Sequence, residues 1–512
     1  MRCLLFIALF TIEALAYGQG FDLRFDLFAN GYAQTAFDIE RTNEGYCVIG
    51  ASSDYDSVGV DSFFFHASVL HTFIGATGEL VTEIRNWRPY HSAFVGWSNC
   101  CDTIPGGGYV VGGSSEDATG FDEVYLMRFD AGGDTLWTRV FGDPNGNRFW
   151  IGFQVKRAPN GDFLVVGITD QNGPFNAFVL RTDSSGNELW RQIQVYDSGI
   201  EGGLGAIVVA NDGDLFTSGT MTLSESNSDH WVQRLSTDGI AQWQVGWGGA
   251  WREGSTHISG LGDGHLLVSG GTGYAANLTE QRPYLAKLDS ADGSIIWENE
   301  YGPVAYSTQF FPAKERPNGD LIACGVSYSG GDQQGLLLRT TSEGDSLWMR
   351  SYFYQDTLMQ DGTGRFYDVL PTEDGGFIAA GAAYHSATLG YPEGYSQDTW
   401  VVKVDSMGCI VPGCDGTGVT EIITNLKDAL TVFPNPAHGQ VSLRSELPAS
   451  LRSASLALSI VGTEGRVVRR ETWPLARDAT LVLDIRDLSP GLYTLHLTDG
   501  TTWITGTKLV VE

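Results

Sequence analysis

Gly108-Tyr109-Val110-Val111-Gly112 is a short apolar run bounded by glycine, and the chain repeats its pattern. Gly45-Tyr46-Cys47-Val48-Ile49-Gly50 precedes it, and Gly376-Phe377-Ile378-Ala379-Ala380-Gly381 is the last copy. Further copies start at Gly161, Gly213, Gly264 and Gly319, so the unit occurs seven times at a spacing of about fifty residues. A second apolar strand follows each run, as in Glu123 to Asp130 or Thr399 to Asp405. An acidic, glycine-containing turn then leads to Trp137, Trp190, Trp243, Trp297 or Trp348. Several short strands per unit at this period predict an all-β chain whose repeats form a seven-bladed β-propeller. One blade cannot bury both of its faces, whereas blades stacked around an axis do so without long free edges.

Four strands are expected per unit. In the second copy they fall at Phe94 to Thr103, Gly108 to Gly113, Val124 to Asp130 and Leu136 to Phe141. The turn Asp183-Ser184-Ser185-Gly186 suits a tight hairpin, because aspartate caps the backbone and glycine accepts positive φ. The tryptophan after it is expected to pack between blades. The seventh copy lacks such a strand, and residues 21–28 resemble the missing piece. The propeller is therefore assigned to residues 19–412, with 21–28 closing the last blade. A Gly- and Thr-rich linker spans 413–427, and residues 428–512 read as a small Ig-like β-sandwich of short strands between Pro, Gly and Asp turns.

The formal net charge of −30 repels phosphate backbones and anionic lipid, so no nucleic-acid partner is expected. Residues 1–18 read as a signal peptide: Arg2, an apolar core from Leu4 to Leu15, and cleavage between Ala16 and Tyr17. No later segment is apolar enough to span a membrane as a helix. Beyond Cys3 there are six cysteines. Cys409 and Cys414 bracket a Pro-Gly turn and could form a local disulfide. Cys47 and Cys324 sit in apolar runs and read as buried small hydrophobes. Cys100 and Cys101 fall on an inner strand, and the pairing of these four is open.

No catalytic motif is present: no His-Glu-x-x-His, no nucleophile elbow, no phosphate-binding loop before a helix. No cofactor is predicted. Acidic loops at Ser53 to Asp61 and Glu116 to Glu123 could hold calcium, though they lack regular ligand spacing. The connections between blades are richer. They carry Trp87, Tyr90, Arg148, Trp150, Trp247, Trp251, Arg252, Tyr306, Arg365 and Tyr367. Aromatic planes beside guanidinium groups suit sugars and peptides, so these ten residues form the candidate ligand-binding face.

The last stretch resembles the type A C-terminal sorting domain of the type IX secretion system of Bacteroidota. The carrying residues are Phe433-Pro434-Asn435-Pro436 with Gly439, then Gly465, Gly491, Tyr493 and Lys508. The resemblance implies periplasmic export, passage across the outer membrane by the type IX machinery, and residence at the cell surface or in the medium. The repeats resemble propellers common in proteins with that domain. Asp289 to Trp297 is also similar to the tryptophan-docking turn of quinoprotein-type propellers, some of which carry a vicinal disulfide against their cofactor, and it loosely matches sialidase aspartate boxes. The leading expectation is a non-enzymatic binding or adhesion module for a glycan or protein. The alternatives are a quinoprotein-like or glycan-active enzyme, which carboxylates converging near the axis would favour, and a structural surface protein.

Overall fold

The structure, a computed structural model, describes residues 20–25, 34–55, 65–86, 91–117, 122–142, 150–171, 175–194, 201–275, 280–329, 332–354, 363–384, 397–410, 430–445, 456–462, 467–472, 480–498 and 503–512. All regular elements among them are β-strands.

Strand β1 (Phe21–Phe25) comes first. The first sheet then holds β2 (Gln34–Arg41), β3 (Gly45–Tyr55), β4 (Phe65–Gly75) and β5 (Leu80–Asn86). The second holds β6 (His91–Val95), β7 (Cys101–Thr103), β8 (Tyr109–Asp117), β9 (Asp122–Phe129) and β10 (Thr135–Phe141). The third is β11 (Trp150–Arg157), β12 (Phe163–Thr169), β13 (Asn176–Thr182) and β14 (Glu188–Gln194). The fourth is β15 (Glu201–Val209), β16 (Leu215–Ser224), β17 (Asn227–Leu235) and β18 (Ala241–Trp247). In the fifth, β19 (His257–Gly260), β20 (Leu266–Gly273), β21 (Glu280–Leu288) and β22 (Ile295–Glu300) are joined by the short β23 (Ala305–Tyr306). The sixth is β24 (Gln309–Glu315), β25 (Leu321–Ser329), β26 (Asp332–Thr340) and β27 (Ser346–Tyr352). The seventh is β28 (Thr363–Pro371), β29 (Phe377–Tyr384) and β30 (Gln397–Val404), on which β1 pairs antiparallel as the edge strand.

This is a propeller-type fold. From the third sheet to the seventh, the first strand of each sheet packs against the first strand of the next; in the second sheet β7 takes that place, against β2 and β11, and β28 packs against β2. The expected inner strand from Phe94 to Thr103 is two strands instead. Ser98 and Asn99 adopt φ of 54° and 49°, which takes them off the ladder. Gly96 stands so close to the backbone of Phe153 that a side chain there would clash.

The turn chemistry repeats as a docking device. Asp183 Oδ1 accepts the N–H groups of Ser185 and Asn187, at 2.8 and 2.9 Å. Asp130 and Asp405 do the same in their own turns. The turn glycine then lies flat on the tryptophan of the preceding sheet: Gly186 on Trp137, Gly239 on Trp190, Gly293 on Trp243, Gly344 on Trp297 and Gly408 on Trp348. In the first sheet, Gly78 rests on Leu23 and Phe21 of β1. Trp400 Nε1 donates to Asp22 Oδ1 at 2.6 Å, and Arg24 pairs with Asp398 at 3.0 Å, fastening β1 to the seventh sheet.

Two more sheets form the C-terminal part. One is β31 (Leu430–Phe433), β32 (Gln440–Ser445) and β35 (Thr480–Asp484); the other is β33 (Ala457–Gly462), β34 (Val467–Thr472), β36 (Gly491–Thr498) and β37 (Trp503–Val511). Leu443, Leu483, Ile460 and Leu497 from the two sheets share one core. Asn435 acts as a clamp on the last strand. Its amide nitrogen donates to Lys508 O and its oxygen accepts Val510 N–H, both at 2.8 Å. Tyr493 Oη donates to Ser489 O at 2.8 Å, and Gly439 takes a φ of 73° at its turn. Gly465 lies outside the described residues.

Candidate functional site

The described candidate residues differ in burial and surroundings. Trp87, Tyr90 and Arg148 lie outside the described residues, as do the signal positions Ala16 and Tyr17. Trp150 is 3% exposed, packed edge-on to Phe178 and capped by the guanidinium of Arg191 at 4.4 Å. It belongs to the core between the second and third sheets, and a large ligand does not reach it. Tyr367 is also buried, with Arg365 over its ring at 5.6 Å. Tyr306 and Trp251 are exposed, Tyr306 meeting Tyr328 edge-on at 4.8 Å. Arg252 donates to Glu225 O at 2.6 Å. The sequence shows these residues only as aromatics and arginines near strand ends; Tyr367 sits in a β-bulge, whereas Trp251 and Arg252 lie between β18 and β19 and Tyr306 on the short β23.

Those bulges recur in the first strands. The register shifts between Ala36 and Asp38, Gly152 and Gln154, Leu204 and Ala206, Phe310 and Ala313, and Phe366 and Asp368. A bulge re-aims a side chain. Phe311, Tyr367 and Phe37 thereby stack in sequence across the sixth, seventh and first sheets, at 5.3 and 4.8 Å. Trp97 of the second sheet continues the row at 6.5 Å from Phe37.

At three of the five bulges, the residue after the shift hydrogen-bonds the next sheet. Asp38 Oδ2 accepts Cys101 N–H at 2.7 Å, and Gln154 Oε1 accepts Ile207 N–H. Asp368 Oδ2 accepts Ile39 N–H at 3.3 Å, joining the seventh sheet to the first. Asp102 Oδ2 accepts Arg157 N–H at 2.7 Å in the same manner. Carboxylates therefore do gather on the inner strands. Asp38, Glu40 and Cys101 each bring a ligand atom within 4.8 Å of the others. Burial and Asp368 hold Asp38 well above the usual carboxylate range, and burial lifts Glu40 to about 7. Burial opposes the charge on Lys156 and Lys314, but the surrounding carboxylates outweigh it and raise both. Lys314 Nζ sits 2.7 Å from Asp368 Oδ1. The chain thus supplies its own counter-charges here, and the cluster is a buried ion network joining inner strands. The acidic loops proposed for calcium fall largely outside the described residues.

Cys47, Cys100, Cys101 and Cys324 are free, buried thiols, and burial raises the pKa of each. Cys409 is disulfide-bonded; Cys414 lies outside the described residues.

One candidate, Trp247, lines a cleft of about 360 Å³ between the fourth and fifth sheets. Its Nε1 donates to Tyr284 Oη at 2.9 Å, and Tyr284 Oη donates to Glu298 Oε2 at 2.7 Å. His230 stacks on Tyr284 with centroids 5.1 Å apart and planes 12° apart. Its Nδ1 is bonded to Thr256 Oγ1 at 2.8 Å, while its buried Nε2 has no hydrogen-bond partner and stands 3.7 Å from Glu253 Oε2. Burial lowers His230 to about 3, so the ring is neutral at pH 7. Glu253 organises the loop above by accepting Gly249 N–H at 2.7 Å and Gly273 N–H at 3.2 Å. Burial raises its carboxyl to about 7, and Asp229 and Glu300 push it the same way. Nothing in the sequence singles out His230, Tyr284, Glu253 and Glu298. They come from two sheets and a loop, and no motif joins them.

Residues 431–512 match the secretion system C-terminal sorting domain family. The chain is thus an all-β, propeller-type protein with a sorting tail that engages the type IX machinery, and it is exported to the cell surface or the extracellular space. Similar solved structures include a protein of unknown function from Dyadobacter fermentans DSM 18053, at 9% identity over 75% of this chain and 98% of that one, TM-score 0.42. Quinohemoprotein alcohol dehydrogenase from Comamonas testosteroni aligns at 11% identity over 82% and 74%, TM-score 0.36. Sqt1 from Chaetomium thermophilum aligns at 12% over 73% and 97%, TM-score 0.38. Comparison with curated proteins finds no match.

Proposed function

We propose that this is a secreted, non-enzymatic binding protein of a Bacteroidota-type cell surface. Its seven sheets act as the blades of one ring closed by β1, followed by a removable sorting sandwich. The observation that carries the binding reading is the cleft between the fourth and fifth sheets, which Trp247 and Tyr284 line beside carboxylate acceptors. Concave, aromatic-walled sites with a few fixed polar groups are the usual form of a ligand pocket. The enzyme reading would draw on the inner-strand carboxylates. Asp38, Asp102 and Asp368 are instead engaged by backbone N–H groups or lysine.

The test is a screen of the secreted full chain against arrayed glycans and peptides, repeated with Trp247→Leu. A ligand that binds the native chain and loses at least about tenfold affinity in the variant supports the reading. Every hit binding both chains equally would sink it, provided the two unfold at the same temperature.

A further inference from the structure

The cleft carries an unbalanced charge. Glu253, Glu298 and Glu300 line it, and Asp229 stands beside Gly248 of the same lining; Asp229, Glu253 and Glu298 have no lysine or arginine partner among the described residues. Glu300 is paired with the guanidinium of Arg282 at 2.9 Å. Among the described residues, no lysine or arginine lines the cleft. His230 adds a flat neutral wall and an unpaired Nε2 that is buried and faces Glu253. Carboxylates gathered without a counter-charge in a partly desolvated site repel one another, and a bound cation relieves that repulsion. Aromatic faces at the same place attract cations through the ring quadrupole.

We propose that the cleft takes a protonated amine or guanidinium group, held by Glu253 and Glu298 against the rings of Trp247 and Tyr284. The group enters as a donor-only cation, which suits a lining that offers carboxylate acceptors and no competing positive charge. This inference rests on the reading of the cleft as the ligand site and narrows its ligand class. Neutral sugars are disfavoured, because a hydroxyl brings no charge to offset the carboxylates.

The experiment uses the full secreted chain at about 0.15 M salt, where long-range attraction from the net charge is largely screened. Labelled hexalysine, hexaarginine, ε-acetylated hexalysine, spermidine and chitohexaose are titrated against native chain, Glu298→Gln, Trp247→Leu and the remote control Glu343→Gln. Glu298→Gln keeps an acceptor for Tyr284 and removes one charge; Glu343 is exposed and far along the chain. The expected result is binding of the cationic peptides, loss on acetylation, at least about tenfold weakening by Glu298→Gln and no change with Glu343→Gln. Competition by spermidine as strong as by hexalysine places the cation on a free polyamine; preference for peptide places it on a protein, and both results keep the proposal. Equal weakening in Glu298→Gln and Glu343→Gln overturns it, since only bulk charge would then be acting. Binding of chitohexaose that depends on Trp247, with no hexalysine competition, overturns the cation while the ligand site stands. No Trp247-dependent binding of any probe removes both.

Discussion

Gly239 lies flat on the indole of Trp190: a Cβ at Gly239 would come within 2.7 Å of Trp190 Cζ3. The same contact recurs at four other junctions between consecutive sheets. It explains why turn and tryptophan travel together in the repeat. The glycine is required twice, because its φ is 77° and because its neighbour leaves no room.

Gly239→Ala is therefore expected to destabilise the chain by about 2–4 kcal/mol, combining left-handed backbone strain with overpacking. Gly264, at a φ of 87° with nothing near its Cβ, should cost only the backbone part when changed to alanine. Urea midpoints of the two variants check this. Equal losses would refute the docking role of Trp190.

Asp22 is raised to about 7, mainly by burial, although Trp400 Nε1 favours its charged form. A carboxyl whose folded pKa lies above its unfolded value of about 3.8 loses stability as pH rises between the two. Asp22→Asn mimics the protonated form. It should match the native chain near pH 4 and exceed it by at least about 1 kcal/mol at pH 8. Buried His71, His230 and His257 oppose this trend below about 6.5, so the difference between the two proteins is the quantity to measure. A pH-independent difference would contradict the assignment.

Asp368→Ala would leave the Lys314 ammonium without its 2.7 Å partner and the Ile39 N–H without an acceptor. A loss of about 3–5 kcal/mol is expected. Adding Lys314→Met should recover part of it, because the buried charge is then removed with its partner. A double-mutant cycle on urea unfolding measures the coupling. Strict additivity would show that the pair does not interact.

Trp150 and Trp251 look equivalent in the sequence and should behave oppositely. Trp150→Ala is expected to cost about 3–5 kcal/mol of stability. Trp251→Ala, at an exposed position, should change it by no more than about 0.5 kcal/mol. Thermal unfolding of the two variants decides this, and similar values would reverse the placement of Trp150 in the core.

The repeat was legible because its information is local. An Asp–Gly turn, a glycine at positive φ and a tryptophan a few residues on are neighbours in the chain, so the all-β, propeller-type class follows from spacing alone. The sorting tail was legible for the same reason, from Pro434, Asn435 and Pro436 to Tyr493 and Lys508. Trp247 was in view as one of many aromatics after strands. Its partners were not: His230 and Tyr284 belong to different sheets, Glu253 to a loop, and Glu298 to an outer strand. Nor could the sequence separate Trp150 from Trp251, or show that Phe37 and Tyr367 would meet across the first and last sheets. A single inserted residue in a strand reverses the facing of every side chain after it. The sequence by itself determined that the chain is built from a repeated β unit and where the copies turn. Which residues face a neighbour, and which unpaired carboxylates gather in one cleft, was decided by bulges and sheet packing, because those depend on contacts between segments that are distant in the chain.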